Sequence, residues 1–207
     1  MNNILHKLIY NKSVQSGSLF AFFSFLNQGL NFFLLLILAD YILTDSYGSL
    51  NLFYTAVGVV GYVICLCTSG IVSIKYFKES RETLARYINV VLSSTLIVSA
   101  ILLLIVGLFP DFVTRISNIQ PTIQVFCIYL CATTVVYNLL LDIYRLEEKT
   151  LAYGILTTLF TLINIALSLI LVIGFEQDWM GRVEANLIAS TFFLIWGCIT
   201  LVRKGYI

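Results

Sequence analysis

The feature that most constrains this chain is where its charges do not occur. Its 23 Asp, Glu, Lys and Arg residues are confined to the N-terminal region, to short clusters and to the C-terminal end. Between them run six stretches without a charge: Gly17–Ala39, Ser46–Ile74, Tyr87–Pro110, Ile116–Leu141, Thr150–Phe175 and Ala185–Val202. A helix needs roughly 20 apolar residues to cross a hydrocarbon layer of about 30 Å. Each stretch is therefore read as a membrane-spanning helix. The runs are uniformly apolar and do not alternate every second residue, so a helical bundle is expected and a barrel is not.

Composition agrees with that reading. Hydrophobic residues make up 59% of the 207 and charged residues 11%, with a mean hydropathy of +0.95. Ordinary water-soluble domains run near a quarter charged. The net charge of +1 gives no electrostatic footprint for nucleic acid. The first stretch follows Lys7 and Lys12 like a signal peptide, but it is too long and lacks a small-x-small cleavage site before Asp40, so it is read as retained.

The expected organisation is one all-α, six-helix transmembrane lobe over residues 1–207. Its helices are expected near 17–41, 48–74, 87–109, 121–143, 150–174 and 183–202. A short amphipathic segment over 3–14, with Ile4, Leu5, Leu8 and Ile9 at helical spacing, is expected to lie on the membrane surface. Orientation follows from the basic residues. Lys7, Lys12, Lys75, Lys78, Arg81, Arg86, Arg145, Lys149, Arg203 and Lys204 fall on one side, and only Arg115 and Arg182 on the other. Short loops rich in Lys and Arg stay in the cytoplasm, so both termini are expected inside. Tyr and Trp residues near the span ends, such as Tyr41, Tyr47, Tyr87, Tyr144 and Trp179, suit the two interfaces.

No loop has room for a soluble catalytic domain. His6, near the N-terminus, is the sole histidine, so a histidine triad is not expected and a multi-histidine metal site is excluded. Phosphate-loop, dinucleotide and nucleophile-elbow patterns are absent. Cys65, Cys67, Cys127, Cys131 and Cys198 lie within spans without acid or histidine neighbours, and read as small packing residues. An enzyme is not expected, nor any cofactor or metal.

The polar residues within the spans carry more information. Ser24, Gln28 and Asn31 share one face of the first helix, with Asn27 beside them. Cys127, Cys131, Thr134, Asn138, Asp142 and Arg145 run down the fourth. Thr157, Thr161, Asn164 and Ser168 do so on the fifth, and Asn51, Tyr54, Gly58, Gly61 and Cys65 on the second. Two readings of these faces stand. Small and polar residues line helix–helix contacts, or they line a water-filled cavity for a polar solute. Asn27, Gln28, Asn31, Asn138 and Asn164 are the cavity candidates, because a carboxamide left unpaired in lipid costs several kcal/mol. Lys75 and Arg145 are the candidates for charge at the inner mouth. Asp40, Asp142 and Arg182, like them, lie within about a turn of the span ends, where such residues commonly snorkel.

Three local patterns add a resemblance. The junction Ala39-Asp-Tyr-Ile-Leu-Thr-Asp-Ser-Tyr47-Gly48 is similar to the Ala-Arg-x-Leu-Gly-Pro-x-x-Tyr-Gly junction of bacterial polysaccharide-biosynthesis membrane proteins. Those are the O-antigen and capsule-unit flippases of the multidrug/oligosaccharidyl-lipid/polysaccharide exporter superfamily. Ser69-Gly70-Ile-Val-Ser-Ile-Lys-Tyr76 resembles that family's exit from helix 2, and Gly181-Arg182-Val-Glu-Ala185-Asn186 its entry into helix 6. Asp40 departs from the family's usual Arg, and Leu43-Thr44 from its Gly-Pro.

The resemblance implies one lobe of a MATE-like transporter working by alternating access in the bacterial plasma membrane. The implied cargo is an undecaprenyl-diphosphate-linked oligosaccharide for O-antigen, lipopolysaccharide or capsule synthesis. Family members carry twelve or more helices in two halves, so six helices imply a second transporter half or another copy as partner. A multidrug or small-solute exporter of the same superfamily and a non-transporting membrane scaffold are the alternatives.

Overall fold

Proline, asparagine and a serine cap set several of the helix boundaries in the computed structural model, which describes residues 12–65 and 69–207. The helices are α1 (Lys12–Ala39), α2 (Thr44–Cys65), α3 (Ser69–Tyr76), α4 (Arg81–Leu108), α5 (Pro110–Ser117), α6 (Pro121–Leu146), α7 (Thr150–Leu169) and α8 (Asp178–Arg203). No strand occurs among the described residues. Six helices are long and apolar enough to cross a membrane: α1, α2, α4, α6, α7 with its continuation, and α8.

Ser80 caps α4: its hydroxyl accepts from the Thr83 amide at 3.4 Å and Glu82 complements the helix dipole, so the helix starts at Arg81, not near 87. Pro110 then forces a break after Leu108 and opens α5, a short amphipathic helix that the charge-free stretches do not signal. Asn118 ends α5 in the left-handed conformation, φ 55°. Pro121 opens α6, and the Gln124 side chain ties α6 back to α5 through Ser117 Oγ at 3.1 Å and the Ile119 carbonyl at 2.7 Å. The span expected over 48–74 is described as two helices, α2 and α3. The one expected over 183–202 begins five residues earlier, at Asp178. All but the end of the amphipathic segment expected at 3–14, with His6 and Lys7, lies outside the described residues, as does Cys67.

The helix α6 forms the axis of the bundle. Of its most apolar 18 residues 61% are buried, against 11% in α1 at the edge. It packs against α2, α4 and α8, while α1 lies against α7. Water exclusion does not drive helices together in lipid, so close contact and interhelical hydrogen bonds must hold them. Tyr137 of α6, Phe160 of α7 and Phe193 of α8 supply such contact, with ring centroids 4.8 to 5.8 Å apart.

Two glycines permit close approach. Any side chain on Gly154 would overlap the Phe23 ring, which fills that space and sets the level at which α1 meets α7. A Cβ on Gly181 would stand 3.0 Å from the backbone of Leu171. That backbone belongs to a π-helical turn, Ile170–Gly174, which continues α7 and is pressed by α8.

The bundle has two chemically different ends. At one, Lys204 pairs with Glu147 and Phe20 of α1 meets Tyr153 of α7, so the start of α1, the α6–α7 turn and the end of α8 come together. At the other, Asp178 accepts hydrogen bonds from Ser46 Oγ and from the Leu43 amide at 3.4 Å, tying the α7–α8 turn to the α1–α2 turn. Lys75, Lys78, Arg81, Arg86, Arg145, Lys149, Arg203 and Lys204 fall toward the first end, the basic one.

Candidate functional site

Along α6, Cys131, Thr134, Asn138, Asp142 and Arg145 recur at helical spacing, so they share one face. Opposite them α2 offers Gly58 and Gly61, whose lack of side chains leaves room. A Cβ on Gly61 would lie 3.7 Å from Cys131 Sγ, in ordinary contact. The result is a cavity of about 490 Å³ between α2, α4 and α6. One side is the polar ladder of α6; the rest is apolar, including Val57, Val91 and Leu139. Tyr62, 80% exposed, stands at its rim, so the cavity opens on the surface of the bundle.

Near the basic end the ladder finishes in an ion pair, Arg145 Nη1 to Asp142 Oδ1 at 3.2 Å. Arg145 also reaches Tyr153 on α7, 3.4 Å from its hydroxyl and 5.4 Å from the ring centroid. The upper thiols are engaged with α2 backbone: Cys131 Sγ donates to the Val57 carbonyl at 3.2 Å and Cys127 Sγ approaches that of Phe53 at 4.0 Å. These contacts explain the cysteines as packing residues that seam α6 to α2.

A second polar centre lies toward the opposite end. Arg182, expected at a helix terminus, is one turn inside α8 because the helix starts at Asp178, and it is only 7% exposed. Its Nη1 donates to Asn164 Oδ1 and, at 2.6 Å, to Ser168 Oγ, both on α7. Asn164 Nδ2 donates to Asn186 Oδ1, and Asn186 Nδ2 to the Tyr54 hydroxyl at 2.8 Å. Five side chains from α2, α7 and α8 thus form one chain of hydrogen bonds. The partners are all neutral: among the described residues Arg182 has no ion pair, and its buried Nε has no hydrogen-bond partner.

The candidate carboxamides are therefore dispersed. Asn138 lines the cavity with Arg145, and Asn164 is sealed in the Arg182 cluster. On α1, Gln28 and Asn31 are exposed and Asn31 Nδ2 donates to the Asn27 carbonyl of its own helix at 3.0 Å. Asn27 is half-buried, with Oδ1 enclosed and without a partner. Lys75 pairs with Glu79 at 3.0 Å and lies 5.2 Å from the Tyr87 ring centroid, away from the cavity lining. The Arg182 centre was readable in principle: Asn164 and Ser168, and Arg182 and Asn186, are two pairs of polar residues four apart in successive spans. The misplaced start of α8 concealed it.

A separate polar cluster sits at the basic end. Glu147 pairs with both Lys204, at 2.6 Å, and Lys149, at 2.8 Å. Lys204 also lies 4.4 Å from the Tyr144 ring centroid, and Arg81 donates to the Lys204 carbonyl. Partial burial pushes the Glu147 carboxyl up, but the two ammonium groups outweigh it and hold it below the usual carboxylate range. No group of three His, Cys, Asp or Glu residues arranged to hold a metal occurs among the described residues. Compared with protein-family models, with curated proteins and with solved structures, the chain matches none.

Proposed function

We propose that this chain is a transport lobe that moves an amphiphilic lipid-linked oligosaccharide across a bacterial plasma membrane, with both termini in the cytoplasm. The observation that carries the reading is the cavity, in which a polar ladder faces apolar walls and the space opens at the bundle surface. A head group hydrogen-bonded to Thr134, Asn138 and Asp142 would leave its lipid tail in the bilayer through the side opening. The volume lies within the usual range of small-molecule sites, roughly 300–1,000 Å³. Ten of twelve basic residues on one side support the orientation, and the three resembling junctions support the superfamily.

One group bears on the diphosphate of such a cargo. Arg145 stands at the end of the cavity with its charge shared with Asp142. The test is transbilayer movement of a fluorescent undecaprenyl-diphosphate sugar in vesicles holding the intact protein and whatever partner it requires. Asn138→Leu should slow flipping about tenfold or more, the scale of one lost charged-group hydrogen bond. An unchanged rate removes the cavity from the path.

The apolar walls formed by Val57, Val91 and Leu139 favour one second reading, export of an apolar or cationic small solute. Transport in the same vesicles settles it: movement of such a solute, without movement of the lipid-linked sugar, selects the exporter.

A further inference from the structure

The edge helix α1 exposes two faces of opposite chemistry. Phe22, Phe25, Phe32 and Leu36 follow one another at helical spacing and are 52 to 80% exposed. This face suits lipid chains. A quarter turn away, Gly17, Ala21, Ser24, Gln28 and Asn31 form a second exposed line at intervals of three and four residues. Its third side, with Leu34 and Leu38, is buried. Lipid does not suit the second face. Its upper half presents carboxamides to hydrocarbon, where each unmet donor or acceptor costs several kcal/mol, and its lower half is small enough to admit another backbone closely.

We infer that this face is covered by the same face of a second copy of the chain. Hydrogen-bonding complementarity selects that occupant. A carboxamide both donates and accepts, so Gln28 and Asn31 complement themselves across a two-fold axis. All copies insert with one orientation, so the axis runs along the membrane normal and the two α1 helices lie parallel. Residues at equal depth then meet: Gly17 and Ala21 allow close approach, and Gln28 and Asn31 bond to their counterparts. Self-association depends only on α1 spanning the membrane and on no particular cargo.

The intact protein with its five cysteines replaced by alanine, in phosphatidylethanolamine–phosphatidylglycerol vesicles, tests this by oxidative crosslinking of single cysteines. Ser24→Cys should crosslink as a dimer at least about tenfold faster than Phe25→Cys, which is also exposed but on the lipid face. Photobleaching steps of the fluorescently tagged natural sequence provide a readout without cysteine changes. They should show pairs, and Gln28→Leu with Asn31→Leu should lower the association constant about tenfold, the loss of roughly two interhelical hydrogen bonds. Equal crosslinking at the two positions, or single steps for the natural sequence, overturns the inference. So does rapid labelling of Ser24→Cys by a membrane-impermeant maleimide without crosslinking, which assigns the face to a water-filled path. Neither readout involves transport, so failure of the proposed flipping leaves this result unaffected.

Discussion

Arg182 Nη1 and Ser168 Oγ are 2.6 Å apart across the α7–α8 contact, and every other acceptor around that guanidinium is also neutral. A buried charge held only by neutral dipoles makes its partners more important than itself. Replacing a buried charged group together with its partner by apolar groups of similar shape is often nearly neutral, whereas removing the partner alone strands the charge. Arg182→Met leaves Asn164 Oδ1 without its donor and should lower thermal stability in detergent by about 1–2 kcal/mol. Asn164→Leu should cost roughly 3 kcal/mol, and adding Arg182→Met should recover most of that loss. Additive costs in this cycle would show that the two side chains act independently.

The Phe23–Gly154 contact predicts a size limit at the α1–α7 seam. Gly154→Val places a branched side chain where the ring now sits and should destabilise the bundle by about 1–3 kcal/mol. Combining it with Phe23→Ala should restore part of the loss. Thermal unfolding of the four proteins measures both effects, and equal melting of Gly154→Val and the natural protein removes the contact from the account.

Glu147 joins the α6–α7 turn to the end of α8 through Lys204. Its carboxyl titrates below the ordinary value of 4.5 in the folded protein, so its contribution is fully present above that value. The contribution is lost as pH falls through the lower folded value. Glu147→Gln should therefore lower stability by about 1 kcal/mol at pH 7 and leave less acid sensitivity below pH 4.5. Melting temperature against pH for both proteins checks the direction; parallel curves would mean that the ion pairs contribute nothing.

The cavity predicts a graded response at Gly61. A methyl group meets Cys131 Sγ at ordinary contact distance, so Gly61→Ala should fold and act normally. Gly61→Phe extends into the cavity and should cut transport about tenfold or more at unchanged expression. Retained transport by the Phe variant would place the cargo elsewhere.

Several parts of this arrangement are visible in local sequence. The start of α6 at Pro121 falls where the fourth span was expected, and Cys131, Asn138 and Asp142 declare a shared face by spacing alone. The beginning of α8 was harder to see. Asp178 and Arg182 interrupt the apolar pattern, yet both belong to the helix because tertiary partners satisfy them: Ser46 and Leu43 for the one, Asn164 and Ser168 for the other. Nor does periodicity say which neighbour a polar face meets. Asn164 and Asn138 look alike in sequence, and packing seals the first among α2, α7 and α8 while leaving the second in an open cavity.

The sequence by itself determined that the chain is helical and has six spans of membrane length, because uninterrupted apolar runs leave the backbone no other way to satisfy its hydrogen bonds in hydrocarbon. It also determined the asymmetry of charge between the two sides. Only the tertiary structure decided that α6 is the axis and α1 the edge, that Arg182 is buried among neutral partners, and that the carboxamides occupy three separate places. The physical reason is that side-chain spacing fixes a face on its own helix, while the partner of that face depends on how helices pack at close range.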